Sequence, residues 1–341
     1  MTTKEHILAH QARYPLARPQ DLFKFLHQSV FGPGHLVRDD VGGLEHLLHE
    51  AADCATSQDL EPLDGPFVRA HLGLLQEGLA PKTLWRCFVL SAAMPAGTAA
   101  DLEEKLAVLS DLSPEFSAAA DQWRAQGFPA LRHSEAFRSA YAPAYRVLHK
   151  DYAWMLPLLT AIDRKRALGR PILAAIEGGS AAGKTTLAEK LQAVYGCPVL
   201  HMDDFFLQPH QRTVQRLAAP GGNIDHERFL SEVLLPVREG RPIHYRRWDC
   251  HRQSFCPTAE ISPAPLILIE GAYSCHPALA EHYDLRVFLS ISPQLQRRRI
   301  QKRNTPEFQE RFFSAWIPME RRYFDAFGIP AVCDLTLEVT E

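Results

Sequence analysis

The spacing of apolar positions changes character once along the chain, near Gly169. Before that point apolar residues recur every three to four positions, the period of a helix with one buried face. In PQDLFKFLHQSVFG, Leu22, Phe25, Leu26 and Val30 share a face, and Gly32, Pro33 and Gly34 stop the run. GGLEHLLHEAADC and DLEEKLAVLSDL repeat that spacing. The acidic stretch from Asp53 to Asp64, broken by Pro62 and closed by Gly65, reads as a surface loop. HSEAFRSAYAPAYRVLHKDYAWMLPLLTAIDRKRAL reads as a long connecting helical region punctuated by Pro143 and Pro157.

After Gly169 short apolar runs alternate with helical ones: PILAAIEG, a helix from Lys184, then PVLHM, PLILIEG, DLRVFLSI and DLTLEV. Strands separated by helices predict crossover units and a mostly parallel sheet with helices on both faces. The expected organisation is a mainly α-helical domain over residues 1–160 and an α/β domain over 161–341. In such sheets ligands sit beyond the carboxyl ends of the strands, so the residues just after each apolar run are where chemistry is expected.

The first of those edges reads EGGSAAGKTT. Gly178, Gly183, Lys184 and Thr185 fit the pattern G-x-x-x-x-G-K-[ST] between a strand and a helix, and a plain turn has no use for lysine and threonine at those offsets. The expected phosphate cradle is Gly178, Gly179, Ser180, Ala181, Ala182, Gly183, Lys184, Thr185 and Thr186. Glycines let backbone N–H groups turn inward, and the helix start adds its positive dipole end. The Lys184 ammonium neutralises phosphate charge, and the Thr185 hydroxyl suits Mg²⁺. The next edge, VLHMDDFFL, presents Asp203 and Asp204, either of which is a candidate to take a proton from an attacking hydroxyl. LILIEGAY ends its apolar run in Glu270, a second candidate metal-supporting group.

The segments EGGSAAGKTT, HMDDFF, PGGNIDHERF, LILIEGAY and RRRIQKRN occur in the order seen in the uridine kinase / phosphoribulokinase / pantothenate kinase-like family, and the resemblance spans about residues 170–341. It implies a P-loop NTPase-type fold and an ATP-dependent kinase for a small-molecule hydroxyl, with ATP and Mg²⁺ as cofactors. It also implies that Asp203 is the catalytic base, that Asp225 grips a sugar hydroxyl, and that Arg299 and Arg303 are lid residues closing on the phosphates. The chain departs from uridine kinases at RPIHYRRWDCHRQSF, where those enzymes carry a Pro-x-Tyr-Asp-Phe stretch and a nearby histidine. Tyr245, Trp248 and His251 there either clamp an acceptor or pack a hairpin. The acceptor expected first is a nucleoside such as uridine, followed by another sugar-like or pantothenate-like alcohol. A regulatory nucleotide switch is the reading from another class.

Composition narrows this further. With 37 Lys+Arg against 40 Asp+Glu and no basic excess in either half, nucleic acid and polybasic membrane contacts are not expected. The seven cysteines show no CxxC spacing, so neither a zinc site nor a disulfide framework is indicated. No apolar run reaches membrane-spanning length and no cleavable leader is evident, so a cytoplasmic location is expected. Self-association into a homo-oligomer is left open. In the first half His35, Glu50, His133 and Glu135 invite a metal reading, but their spacing matches no metal motif and structural roles are expected.

Overall fold

The amphipathic runs of the first half are helices in the computed structural model of the protein. The structure describes every residue except His35, Leu36, Arg38, Asp39, His251 and Glu341. Helices α1 (Thr3–Arg13), α2 (Pro19–Phe31), α3 (Asp40–Ala51), α4 (Pro81–Ala92), α5 (Ala99–Ser110), α6 (Pro114–Ala125) and α7 (Glu135–Tyr141) lead to α8 (Lys150–Ala153) and α9 (Leu156–Arg166). Thr2 and Thr98 cap α1 and α5 reciprocally with Glu5 and Asp101 at the third helical position. Leu22, Phe25, Leu26 and Val30 of α2 are all buried, packed with Leu102, Leu106 and Leu109 of α5. Near the end of α9 the chain passes from one compact unit, Met1–Asp163, to a second, Arg164–Glu341.

Two expectations for the first unit are corrected. It holds a three-stranded antiparallel sheet, β1 (Leu60–Pro62), β2 (Phe67–His71) and β3 (Tyr145–His149), in the order β1-β2-β3. The acidic stretch is therefore not all surface loop, since Glu61 of β1 is buried. The long helical region is interrupted too. Ala142 ends α7 in a left-handed turn (φ 40°), Pro143 follows, and Tyr145–His149 pairs with β2 instead. A partner so distant in sequence overrides local helix spacing.

That sheet carries a buried ionic network. Arg69, only 2% exposed, donates through Nε to Gln28 Oε1 (2.8 Å) and through one terminal nitrogen to Glu61 Oε2 (3.1 Å). Its guanidinium lies 4.7 Å from the centre of the Tyr145 ring. The other Glu61 oxygen is 2.6 Å from His10 Nδ1. Burial alone would raise the Glu61 carboxyl, but the Arg69 charge and the His10 hydrogen bond hold it down at about 2.

In the second unit β4 (Ile172–Gly178), β5 (Val199–His201), β8 (Leu266–Glu270), β9 (Leu285–Ile291) and β10 (Leu335–Val339) form a parallel sheet in the order β10-β9-β4-β8-β5. Every residue of β4 and β8 is buried, as covered faces on both sides require. Helix α10 (Lys184–Tyr195) follows β4, and β6 (Ile243–Asp249) and β7 (Ser254–Ile261) make an antiparallel hairpin apart from the sheet. The parallel sheet and its surrounding helices are the architecture that the alternating pattern predicts.

Removing one partner of a buried ion pair strands the other charge. Glu61→Ala is expected to cost about 3–5 kcal/mol in denaturant unfolding of the first unit. Because the folded pKa of Glu61 is depressed, its contribution is present above the ordinary carboxylate range and is lost as pH falls through about 2. An unfolding midpoint unchanged by Glu61→Ala at neutral pH would contradict the network's role.

Candidate active site

The carboxyl ends of β4, β8 and β5 meet at one edge of the sheet. Parallel register places Ile176 of β4 beside Glu270, and Glu270 beside His201 at the end of β5. The loop from Gly178 to Gly183 leaves β4 and turns into α10. Gly178 has φ 150°, and an added Cβ would lie 2.8 Å from the Leu289 carbonyl oxygen, so no side chain fits there. Gly183 adopts φ 96° as the residue preceding α10. Ala181 holds a left-handed conformation (φ 61°) without being glycine, a strain that loops built around ligands commonly carry.

Around that loop the predicted residues converge. Lys184 Nζ donates to the Gly179 carbonyl (3.1 Å), which keeps the ammonium folded over the loop. The Thr185 hydroxyl donates to Glu270 Oε1 (3.1 Å), joining the two candidate metal-supporting groups. Asp203 lies in the short turn after β5, with its side chain exposed. Although it reaches solvent, partial desolvation raises its carboxyl above the ordinary value. Lys184 opposes the shift, Glu270 adds to it and His201 opposes it.

Asp204 faces elsewhere. It is buried, accepts a hydrogen bond from the Tyr245 hydroxyl (3.1 Å) and lies 3.8 Å from Arg247 Nε. Adjacent residues leaving a strand diverge, and here one acid meets the loop's charges while the other joins the hairpin.

The remaining predicted residues are less concentrated. Arg299, in the helix Pro293–Arg303, donates to the Ala181 carbonyl (3.3 Å) and to the Thr340 carbonyl (3.1 Å). Arg303 is exposed, its guanidinium 6.0 Å from the Phe312 ring centre. Asp225 is buried, with one oxygen capping the Arg228 N–H (3.1 Å) and the other accepting from Gln211 Nε2 (2.7 Å). Tyr245 and Trp248 are buried in and under the hairpin, Tyr245 stacked on Phe205 and Trp248 edge-on to Phe255. Both rings are packed in this structure. His251 lies outside the described residues. In the first unit His133 lies between Asp21 and Tyr145, Glu50 pairs with Arg146, and Glu135 pairs with Arg138; His35 lies outside the described residues. Among the described residues no group of three or more His, Cys, Asp or Glu is placed to hold a metal ion.

Several functional neighbours carry no motif signal. His201 Nδ1 is 2.5 Å from Glu270 Oε1, and this hydrogen bond raises the imidazole pKa. Glu320, from the helix Ile317–Phe327, accepts from both the Ser180 N–H (2.9 Å) and its hydroxyl (2.5 Å). Gln296 donates to the Ser180 carbonyl (2.9 Å). Beside them an open recess of about 570 Å³ is lined by Ser292, Gln294, Leu295, Arg298, Val339 and Thr340.

Residues 173–307 match the model of the Phosphoribulokinase / Uridine kinase family. Uridine kinase-like protein 3 from Arabidopsis thaliana is 25% identical over 150 residues, 41% of this chain and 32% of that protein. Uridine-cytidine kinase C from Dictyostelium discoideum is 26% identical over 129 residues, 37% of this chain and 28% of that protein. The chain thus spans about a third of the length of the curated relatives it matches. A solved structure described as a possible uridine kinase from Bacillus stearothermophilus aligns with 53% of this chain and 99% of its own, at 18% identity and TM-score 0.39. Among the described residues no helix is long and apolar enough to cross a membrane.

The close approach of Gly178 to Leu289 gives a direct check on the loop geometry. Gly178→Ala is expected to destabilise the second unit by about 1–3 kcal/mol through backbone strain and the clash with the Leu289 carbonyl. A thermal melt of the second unit indistinguishable from wild type would show that the loop is not held as described.

Proposed function

Because residues 173–307 match the model of the Phosphoribulokinase / Uridine kinase family, we propose that the protein is an ATP-dependent kinase. It moves the γ-phosphoryl group of Mg-ATP to a hydroxyl of a small molecule, with a nucleoside such as uridine the first acceptor to test. The observation that carries this reading is the convergence of Lys184, the Thr185–Glu270 hydrogen bond and Asp203 at one sheet edge. A nucleotide switch has no need of a carboxylate base facing the phosphate loop.

Thr185 and Glu270 supply hard oxygen donors already in contact, a set that fits Mg²⁺. When bound, the ion would neutralise phosphate charge and orient the transferred group. The backbone N–H groups of the loop and the start of α10 cradle the polyphosphate. The recess beside Thr340 offers room for the donor's base and ribose, and Arg299 spans from there to the loop.

At the acceptor, Asp203 takes the hydroxyl proton as the oxygen bonds to phosphorus. The bond from the γ-phosphorus to the bridging oxygen breaks, and ADP leaves with that electron pair. Lys184 offsets the charge that builds on the phosphoryl oxygens. The raised pKa of Asp203 suits the task, since a more basic carboxylate accepts the proton more readily. For Asp225 to grip an acceptor hydroxyl, that contact must replace the Gln211 hydrogen bond.

The burial of Tyr245 and Trp248 favours a second reading of the acceptor. With those rings packed into the protein, the hairpin offers no free stacking surface at these two positions. A sugar-like or pantothenate-like alcohol, held by hydrogen bonds rather than stacking, then competes with a nucleoside.

Lys184→Ala is expected to cut phosphoryl transfer by orders of magnitude while the protein still folds, because the ammonium serves to neutralise charge. Asp203→Asn is expected to lower kcat by about 10²–10⁴-fold with little change in ATP affinity, and Asp204→Asn to do less. Steady-state titrations of ATP and acceptor check both. Near-normal turnover by Lys184→Ala would remove the phosphate-loop assignment, and a larger kcat loss at Asp204 would reverse the two acids.

A further inference from the structure

Two helices far along the chain, Pro293–Arg303 and Ile317–Phe327, grip residues 179–181 of the loop after β4. Ser180 is held by all three of its polar groups. Its N–H donates to Glu320 Oε2 (2.9 Å), its hydroxyl donates to Glu320 Oε1 (2.5 Å), and its carbonyl accepts from Gln296 Nε2 (2.9 Å). Glu320 and Gln296 are both buried. Gly179 leaves them space, since an added Cβ there would lie 3.1 Å from Gln296 Nε2 and 3.4 Å from Glu320 Oε2. Ala181 comes next, clustered with Ile300 and Ile317, its carbonyl accepting from Arg299 (3.3 Å). The second helix also sends the Tyr323 hydroxyl (3.1 Å) to Glu177, whose other oxygen accepts the Gly178 N–H (2.8 Å).

This grip adjoins a strained residue. Ala181 has φ 61°, a region that disfavours any L-residue but glycine by about 5–30-fold in population. Neighbouring contacts must oppose that strain for the conformation to persist. The packing of Ala181 against Ile300 and Ile317 supplies one such contact, and the fixed Ser180 peptide supplies another. A carboxylate opposes the approach of a polyphosphate, so charge does not explain Glu320 at this place. Its two acceptor oxygens do, because they take the Ser180 N–H and hydroxyl together.

Resting on the kinase reading above, we propose that Glu320 is a positioning residue: through Ser180 it holds the adjoining Ala181 in its left-handed conformation and keeps the loop in the shape that receives the nucleotide. Apparent affinity scales with the fraction of molecules already in the binding shape. Losing the hold therefore weakens nucleotide binding. A residue without the strain makes the hold dispensable, and glycine is that residue.

The test is a double-mutant cycle on the full chain, read as Mg-ATP dissociation constants by calorimetric titration without acceptor. Glu320→Ala is expected to weaken binding about 5–30-fold, the size of the left-handed strain. Ala181→Gly alone is expected to change it about fivefold or less. In the Ala181→Gly background, removing Glu320 is expected to cost at least about threefold less than it does beside alanine.

A carboxylate that only stabilised the fold would lower the melting temperature and leave the two affinity losses equal. Equal losses, or wild-type affinity in Glu320→Ala, overturn this inference alone. Should Glu320→Ala not fold, Ser180→Ala deletes only the hydroxyl bonded to Glu320 and runs the same cycle with the same criterion. Absence of Mg-ATP binding by wild type overturns the kinase reading and this inference with it.

Discussion

The register of three parallel strands is the constraint on which the site depends. Ile176, Glu270 and His201 stand side by side across β4, β8 and β5. A slip of one residue in β8 would send Glu270 to the opposite face and leave Thr185 without its partner. With the register fixed, the loop after β4, the acid at the end of β8 and the acids after β5 meet without any of them being neighbours in sequence. Burial on both faces holds that register, because every side chain of β4 and β8 packs against something.

The two units treat buried charge differently. In the first, Arg69 and Glu61 satisfy each other and recruit Gln28 and His10, so the charges are paired within a sheet. Such a network is costly to break by removing one partner. In the second, Glu177 and Glu320 are buried against N–H and O–H donors of the Gly178–Gly183 loop and its surroundings, without a hydrogen-bonded cation among the described residues. Their carboxyls are consequently raised, where that of Glu61 is depressed. The second unit thus keeps these buried acids beside the loop that follows β4, where the first keeps its own neutralised.

Much of this was legible in the sequence. The short apolar runs after Gly169 are the five strands of the sheet, and the glycines mark the loop between β4 and α10 because its backbone geometry demands that residue type. Asp203 and Asp204 part within the short turn after β5, where Asp204 meets the Tyr245 hydroxyl and Asp203 feels the Lys184 charge. Local spacing failed where a distant partner decides the outcome. Tyr145–His149 is a strand only because β2 is there to pair with it, and Glu61 is buried only because Arg69 receives it. Glu177 and Glu320 carry no pattern at all, since their partners are donors brought in by segments distant in sequence. The hairpin aromatics had two open readings because burial of a ring depends on the neighbours it meets.

The central claim is that a phosphoryl group leaves ATP for a hydroxyl rather than for water. Incubating the full chain with Mg-ATP labelled at the γ-phosphorus, against nucleosides, pentoses and pantothenate-like alcohols, measures this directly. The account predicts label in a phosphomonoester of at least one acceptor, with ADP formed in equal amount and only when that acceptor is present. Label released as inorganic phosphate at the same rate with and without every acceptor would contradict it.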